Sequence, residues 1–407
     1  MSNKVLFLTL RTFSFTGGIE KVCRTLARVL FDLNIEAKVY SLYDSNSDRN
    51  SKYSPKHQFT GYAGNRVIFV IKSVFQGVRS EIVILSHINL LLVALIIKTI
   101  SPKTRIILYA HGIEVWRSIS SWKRNFLTKK CELWAVSNFT SNKLQKIHNI
   151  DLNKITVIPN CLDPFLEIPN HFEKPVELLT RYNLTINQPL IFTLTRLSSN
   201  ELYKGYERII EALPELIKIY PTLHYLLSGK ADSKERVRLQ DLITKLNLQQ
   251  HITLTGFLDE DELSAHFLLS DIFILPSHKE GFGIVFIEAA ACGCKVIGGN
   301  QDGSMDALLN GKLGTLVQPE EKESILIAIC KNLEMPRSEK ASKAVQNLCL
   351  EYFNYEQYFQ KVQGMLLYPD LQGMKVRAAA VSDQCDKTQP AHISSLRGRV
   401  YASRGNL

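Results

Sequence analysis

Two glutamates at positions 280 and 288 are the residues of this chain whose type and spacing most clearly indicate chemistry. Glu280 lies in a polar loop that contains Gly281 and Gly283, and Glu288 lies in the small-residue segment that follows, which is predicted to be helical. Glycine permits backbone conformations that a Cβ atom would block. The loop also exposes N–H groups at a helix N-terminus, where the helix dipole favours a phosphate. The segment therefore predicts a site that holds a nucleotide diphosphate by its backbone while two carboxylates bind nearby hydroxyl groups.

A pair of cations, Arg196 and Lys204, follows a predicted strand at residues 190–194. A departing nucleoside diphosphate gains negative charge, and fixed cations stabilise that charge without reorganisation. The arginine fork matches phosphate oxygens, and lysine supplies a point charge. Taken alone, two surface cations at this spacing are usually structural. Beside the glutamate pair they indicate a second part of the same anion-binding site.

The segment from Pro276 to Gly293 resembles the retaining GT-B glycosyltransferases of family 4, whose signature is a glutamate, seven residues and a second glutamate. The resemblance implies that Glu288 binds the ribose hydroxyls of a nucleotide-sugar donor and that Glu280 binds the hydroxyls of the transferred sugar. It also implies that Arg196 and Lys204 bind the donor diphosphate. The loop residues expected to contact the donor are Gly281, Phe282, Gly283 and Ile284. The resemblance covers about residues 3–367.

Three motifs in the first half also match the family. The pair Gly17-Gly18 follows the first strand, and in the family such a pair closes over the donor diphosphate from the opposite domain; it is not the GxGxxG fingerprint of nicotinamide cofactors. A lone His is usually structural, but the resemblance implies that His111 reaches the transferred sugar or the acceptor. Glu114 and Trp116 are expected to shape the acceptor pocket. Thr195 and Cys161 depart from the family pattern, because glycine is usual at both positions.

Strand and helix signals alternate along both halves, which predicts an α/β protein with the GT-B architecture, two Rossmann-like doubly wound parallel sheets facing across a cleft. Residues 1–165 are expected to bind the acceptor, and residues 166–350 are expected to bind the donor. A helix over 351–368 is expected to cross back to the first domain. The tail 369–407 is predicted to be flexible, because it has few large apolar residues. Ligands of such sheets bind outside the carboxyl ends of the strands, where the motifs lie.

The positive charge is concentrated in the first half of the chain. Residues 1–165 contain 23 Lys and Arg against 10 Asp and Glu, whereas residues 166–407 contain 26 against 29. The basic half indicates either an ordinary solvated surface or attraction to anionic lipids or a lipid-diphosphate acceptor. The scattered basic residues and the lack of a zinc-finger, helix-turn-helix or RNA-recognition pattern argue against nucleic acid as a partner.

The apolar and cysteine patterns predict a cytoplasmic protein, with peripheral contact to the inner face of a membrane as an option. The most apolar stretch, Ile88 to Ile97, is shorter than the roughly 20 residues that span a bilayer, and indicates a buried or surface-lying helix. The first residues have too short an apolar run for a signal peptide. The eight cysteines are dispersed without a CxxC pair, which favours free thiols.

The resemblance implies a retaining hexosyltransferase that uses GDP-mannose or a UDP-sugar as co-substrate, and we expect it to need neither a cofactor nor a metal. The acceptor is expected to be a hydroxyl of a lipid-linked oligosaccharide, in the assembly of a cell-surface polysaccharide such as lipopolysaccharide. The residues expected to take part in catalysis are His111, Arg196, Lys204 and Glu280. Two alternatives remain from the sequence: a nucleotide-sugar epimerase of the same architecture and a non-catalytic donor-binding subunit.

Overall fold

The computed structural model describes residues 4–367, and the chain divides into two units after Val362, with both sheets in the first unit. The predicted tail 369–407 lies outside the described residues. The first sheet has seven strands, which are β1 (Val5–Thr9), β2 (Ala37–Ser41), β3 (Phe59–Gly61), β4 (Ile82–Leu85), β5 (Arg105–Ala110), β6 (Glu132–Ala135) and β7 (Ile155–Val157). Their spatial order is β3-β2-β1-β4-β5-β6-β7, and all pairs are parallel.

The helices of the first domain connect these strands. They are α1 (Gly18–Asp32), α2 (Arg66–Gly77), α3 (Leu91–Ile100), α4 (Ile113–Trp116), α5 (Ser121–Lys130) and α6 (Asn138–His148). One hydrophobic core cluster contains buried residues of α2, α3, α5 and α6 together with residues of the central strands, so these four helices cover the same face of the sheet. The strands are buried on both faces, as expected for a parallel sheet with helices on each side.

The second domain repeats the pattern with six parallel strands. They are β8 (Leu190–Leu194), β9 (His224–Ser228), β10 (Ile252–Gly256), β11 (Ile272–Leu275), β12 (Lys295–Gly299) and β13 (Thr315–Val317), in the order β10-β9-β8-β11-β12-β13. Its helices are α7 (Val176–Arg181), α8 (Tyr206–Ile219), α9 (Ser233–Lys245), α10 (Leu263–Leu269), α11 (Ile284–Ala291), α12 (Ser304–Ala307) and α13 (Lys322–Glu334). The two parallel α/β sheets confirm the predicted architecture.

The last described elements are α14 (Glu339–Phe353) and α15 (Tyr355–Leu367), so the helix predicted from residue 351 is interrupted. Asn354 has extended backbone angles, its side-chain amide donates to the carbonyl of Leu350, and its side-chain oxygen accepts from the backbone N–H of Gln357. One residue therefore caps the end of α14 and the start of α15, a role that suits asparagine. Tyr355 then donates to Asp32 of α1 at 2.7 Å.

Among residues 4–367, no helix is both long and apolar enough to cross a membrane. The apolar stretch predicted as one helix begins with a 3₁₀ turn, Ile88–Leu90, and continues as α3. The motif residues His111, Arg196 and Glu280 follow β5, β8 and β11, which places all three at the carboxyl edges of the two sheets.

Candidate active site

The loop between β11 and α11 brings Glu280 against Lys204. The Lys204 ammonium group donates to a carboxylate oxygen of Glu280, and both side chains are mostly buried. The turn that carries Lys204 is held to this loop because the backbone N–H of His278 donates to the carbonyl of Tyr203 at 3.1 Å. The structure therefore brings together two of the predicted site residues, 76 positions apart in the sequence, as one ion pair.

Asp302 holds the Glu280 loop in place. Its carboxylate accepts hydrogen bonds from the Ser277 hydroxyl at 2.6 Å, the Glu280 backbone N–H at 2.6 Å and the Ser304 backbone N–H at 2.9 Å. Burial and, after it, the nearby charge of Glu280 raise the pKa of Asp302 to about 6, against the effect of these donors. Asp302 was not predicted as a site residue; an aspartate two residues before a helix is the signal that could have indicated its role.

Glu288 lies at the first full turn of α11 and pairs across the cleft with the first domain. Lys21 of α1 donates to its carboxylate at 2.5 Å, and the Glu288 side chain is only 3% exposed. A small cavity next to this pair is lined by both residues and by Asn160, Asp163 and Ile284, but not by Arg196, Lys204 or Glu280. Lys21 was not predicted as a site residue, since nothing in the sequence shows that α1 faces α11.

Arg196 stays close to the Lys204–Glu280 pair without joining it. Its guanidinium donates to Glu201 at 2.7 Å, and its side chain is 58% exposed. Burial raises the pKa of Glu20 in α1, and the charge of Arg196 opposes that rise, so Arg196 lies near the first domain's Gly17-Gly18 turn. Arg196 therefore remains available to an anion entering the cleft.

His111 is buried, and neither of its ring nitrogens makes a hydrogen bond within the described part of the chain. Its ring lies against Tyr109, with the ring centroids 4.9 Å apart. Burial and, after it, the charge of the neighbouring His87 lower the pKa of His111 to about 3, and the Ser86 backbone acts in the opposite sense. A neutral imidazole with one free donor and one free acceptor can hydrogen-bond a sugar hydroxyl in either sense.

Glu114 and Trp116, the predicted acceptor residues, make contacts within their own domain. The Glu114 carboxylate accepts from the backbone N–H of His111 at 2.5 Å, and burial raises the pKa of Glu114. The Trp116 ring packs edge-on against Phe139 at 5.3 Å, and its buried indole N–H makes no hydrogen bond in the described chain. In this structure Glu114 orients the His111 loop, and Trp116 is a packing residue with one free donor.

Gly281 lies at a close approach between the two domains. A Cβ atom on Gly281 would sit 1.7 Å from the carbonyl oxygen of His111, so only glycine fits. The Ser137 hydroxyl at the start of α6 donates to the Gly281 carbonyl at 2.6 Å. Gly283, with a φ of 86°, forms the N-terminal cap of α11 in the left-handed region, where glycine is favoured.

The other residues predicted to bind the donor differ in which of their atoms a ligand could reach. Phe282 is buried, with its ring 5.7 Å from that of Phe353, so only its backbone can contact a ligand. Ile284 is also buried. In the first domain, a Cβ atom on Gly18 would meet nothing within 4 Å, whereas one on Gly17 would lie 2.5 Å from the Glu20 carboxylate. The Gly17-Gly18 turn therefore has open space beside its second residue.

Two further residues of the second domain, Asp306 and Glu260, bind the first domain across the cleft. Asp306 of the second domain accepts from the backbone N–H groups of Asn138 and Phe139 at 3.0 and 3.2 Å, and from the Asn138 side chain at 2.6 Å. Arg24 of α1 forms a two-pronged ion pair with Glu260. The Asp306 carboxylate therefore lies at the N-terminus of α6, where the helix dipole favours a negative charge.

Within residues 4–367, no group of three or more His, Cys, Asp or Glu side chains is placed to hold a metal ion. The seven cysteines in this part of the chain are all free.

Models of two glycosyltransferase families match most of the chain. The model described as "Glycosyltransferase Family 4" matches residues 16–164, and the one described as "Glycosyl transferases group 1" matches residues 181–348. A GDP-mannose-dependent alpha-(1-6)-phosphatidylinositol monomannoside mannosyltransferase of Mycolicibacterium smegmatis is 33% identical over 164 residues, which cover 39% of this chain and 41% of that protein. The chain spans about half the length of the curated relatives that it matches.

Solved structures share the fold over nearly the whole chain. HepE from Anabaena in complex with UDP is similar with a TM-score of 0.72 and 20% identity, covering 89% of this chain and 99% of HepE. A glycosyltransferase from Rickettsia africae has a TM-score of 0.74 at 19% identity, covering 90% and 100% of the two chains. At these identities the likeness concerns the fold alone.

Proposed function

Because the chain belongs to the GT-B glycosyltransferases of the family 4 type, we propose that it transfers a sugar from a nucleoside-diphosphate sugar to a hydroxyl acceptor. The observation that carries this proposal is the Lys204–Glu280 ion pair, which follows the carboxyl edge of the second sheet. Arg196 follows the same strand as Lys204, and its exposed side chain pairs with Glu201. A cation and a carboxylate in contact can bind a phosphate and a sugar hydroxyl that are neighbours in one donor molecule.

Each site residue has a part in this proposal. Arg196 and Lys204 neutralise the charge that develops on the leaving diphosphate. Glu280 accepts hydrogen bonds from hydroxyls of the transferred sugar, since a carboxylate is an acceptor only. Glu288 accepts from the ribose hydroxyls, which replace or share its present partner, Lys21. The neutral His111 hydrogen-bonds the transferred sugar from the opposite domain.

We further propose that the transfer retains the anomeric configuration. The bond between the anomeric carbon and the diphosphate oxygen breaks with its electron pair going to the diphosphate. The acceptor oxygen then forms the new bond from the same face, and its proton passes to the leaving phosphate. No protein base is needed in this scheme, and the charge is balanced by Arg196 and Lys204 rather than by a metal ion. Contacts such as Ser137 with Gly281 hold the domains closed and keep water from the donor.

For the acceptor we propose a lipid-linked saccharide at the inner face of a membrane, as in cell-surface glycan assembly. The basic first half of the chain supports this, since it suits an acceptor that carries a diphosphate. The name of the mycobacterial relative, which gives GDP-mannose as donor and a phosphatidylinositol mannoside as acceptor, also supports it. GDP-mannose and UDP-sugars are both candidate donors.

The test is transfer from a panel of donors that includes GDP-mannose, UDP-glucose and UDP-N-acetylglucosamine. The acceptors would be a membrane lipid extract and a short water-soluble saccharide, with the product linkage read by NMR. We expect one donor to give an acceptor-dependent product with the donor's anomeric configuration. An inverted product would contradict retention. Conversion of the donor to an epimer without any acceptor, or no turnover of any donor, would contradict the transferase.

A further inference from the structure

We propose that the outer surface of helices α2 and α3, rimmed by the basic residues of α2 and α5, docks the protein on an anionic lipid bilayer. The proposal rests on the proposed function, because it assigns the surface through which the enzyme reaches a lipid-linked acceptor. The observation that supports this surface is that exposed apolar side chains of α2 and α3 lie beside cations that form no ion pair in the described chain.

The exposed apolar side chains of the first domain are concentrated on two neighbouring helices. We call the outer apolar surface the set of exposed residues Val67, Ile68, Ile71, Phe75, Leu92, Leu95 and Ile100. The first four recur at helical spacing along α2, the other three do so along α3, and these helices contact each other. The second domain has exposed apolar residues too, but each lies in a separate element. Scattered residues of that kind are normal, whereas a contiguous patch indicates an interaction surface.

The rim of this surface is strongly basic. Residues 66–130 contain eleven Lys and Arg and only two Asp and Glu. The exposed cations on α2, α5 and the adjoining turns are Arg66, Lys72, Arg79, Lys103, Arg124, Lys129 and Lys130. The ion pairs of the described first domain involve Lys4, Lys21, Arg24, Arg28 and Arg105, and none involves these rim residues. The guanidinium of Arg79 lies 3.5 Å from the ring centre of Phe75, which places a cation directly beside an exposed aromatic ring.

Apolar residues flanked by unpaired cations suit the interface of an anionic membrane. Apolar side chains enter the boundary between head groups and acyl chains, and Lys and Arg bind the lipid phosphates. A second copy of this chain fits less well. A symmetric dimer through the outer apolar surface would place two basic rims against each other, and like charges in an interface disfavour association.

This surface also lies next to the cleft. Helix α2 begins at the carboxyl edge of the first sheet, where Arg66 donates to the Tyr43 hydroxyl at 3.2 Å. The guanidinium of Arg11 lies over the rings of both Tyr43 and Phe15, and Phe15 is beside Gly17. A continuous series of contacts therefore connects the start of α2 with the glycine turn at the cleft. The start of α2 and the Gly17-Gly18 turn therefore lie at the same edge of the first sheet.

The experiment is co-sedimentation of the full chain with phosphatidylcholine vesicles, with and without phosphatidylglycerol, at low and high salt. The test variant is Ile71→Glu/Phe75→Glu, whose two side chains are 61% and 57% exposed. Its matched control is Val176→Glu/Val237→Glu in the second domain, at positions that are 72% and 57% exposed. Thermal melting and transfer to the water-soluble acceptor show whether each variant is folded.

We expect the wild type and the control to sediment with phosphatidylglycerol vesicles and to be released by salt. The test variant should bind at least about tenfold less, because two apolar side chains no longer enter the interface. No sedimentation of the wild type, or equal sedimentation of the test variant, would overturn the proposal. So would a wild-type dimer in light scattering that the test variant dissociates. Failure of sugar transfer with intact vesicle binding would refute the proposed function and leave the surface standing.

Discussion

The Lys204–Glu280 pair with Asp302, and the loop that carries His111, differ in how their polar groups are satisfied. On the second-domain side, Lys204 pairs with Glu280, and the carboxylate of Asp302 accepts three hydrogen bonds. On the first-domain side, both ring nitrogens of His111 and the indole N–H of Trp116 are buried without partners in the described chain. Buried polar groups in native proteins are nearly always hydrogen-bonded, so the exceptions require an explanation.

This difference separates site residues whose present partner a substrate would replace from site residues to which a substrate would add a missing hydrogen-bond partner. A donor that enters beside Arg196 and Lys204 must exchange an existing ion pair for phosphate and hydroxyl contacts. A sugar beside His111 would instead complete hydrogen bonds that the protein lacks. In the proposed function, the Lys204–Glu280 pair is therefore preorganised for the donor, and a sugar completes the hydrogen bonds of His111.

The largest expected effect comes from Glu280→Gln, which removes the charge of one member of the Lys204–Glu280 ion pair. The change keeps the shape but removes the charge that pairs with Lys204 and adds donors where the sugar needs acceptors. We expect kcat to fall about 10²- to 10³-fold, the range for losing one transition-state contact, with a smaller change in donor affinity. Steady-state transfer and calorimetry measure the two effects. Glu215→Gln, which breaks an exposed ion pair with Lys322, is the control, and an unchanged kcat in E280Q would remove Glu280 from the mechanism.

The next effect comes from Gly281→Ala, which acts on the contact between the two sides. The added Cβ atom would collide with the His111 carbonyl and force the domains apart. We expect a loss of about 100-fold in kcat/KM, as for a displacement of roughly 1 Å between reacting groups. Ser137→Ala removes the hydrogen bond to Gly281 without a collision, and should cost about tenfold or less. Equal activity of G281A and wild type would show that the close contact between Gly281 and the His111 carbonyl is not needed for turnover.

A smaller effect concerns the buried His111 and the pH dependence of the free energy of unfolding. The pKa of His111 is about 3 in the folded protein, whereas an unfolded histidine titrates near 6.5. Between these values the unfolded chain binds the extra proton, so the unfolding free energy falls as the pH falls from about 6.5 towards 4. His111→Gln should remove about 1.4 kcal/mol per pH unit from this dependence, while His87, with a pKa of about 4, still contributes. Urea unfolding at several pH values measures it, with the exposed His57→Gln as control; identical slopes for H111Q and wild type would contradict a neutral buried His111.

The smallest expected effect is that of a chelator. In the proposed mechanism Arg196 and Lys204 supply the positive charge for the leaving diphosphate, so we expect transfer to proceed at an unchanged rate in EDTA. The rate of the dialysed protein, with and without EDTA and with Mg²⁺ or Mn²⁺ added back, is the measurement. Loss of activity in EDTA that added metal restores would show that the cations on the second-domain side do not suffice.

The same contrast explains what the sequence could predict. Glu280, Lys204 and Glu288 were predicted as site residues because each lies in a short segment that matches the family pattern, and the structure pairs Lys204 with Glu280. The partner of Glu288 was not, because Lys21 is 267 residues away and only the packing of the two domains brings it near. Helix α2 was also missed: its apolar residues occupy exposed as well as buried positions, so its pattern does not mark one buried face. The break at Asn354 depends on side-chain capping, which a hydrophobic pattern does not record.

The central claim is that the cleft binds a nucleoside diphosphate through Arg196 and Lys204. Isothermal calorimetry with UDP and GDP, on the wild type and on Arg196→Ala/Lys204→Ala, tests it most directly. We predict that one nucleotide binds the wild type and that the double variant binds it at least about 100-fold more weakly, for the loss of two charge-assisted contacts. Equal binding to both proteins, or no binding of either nucleotide to the folded wild type, would contradict the account.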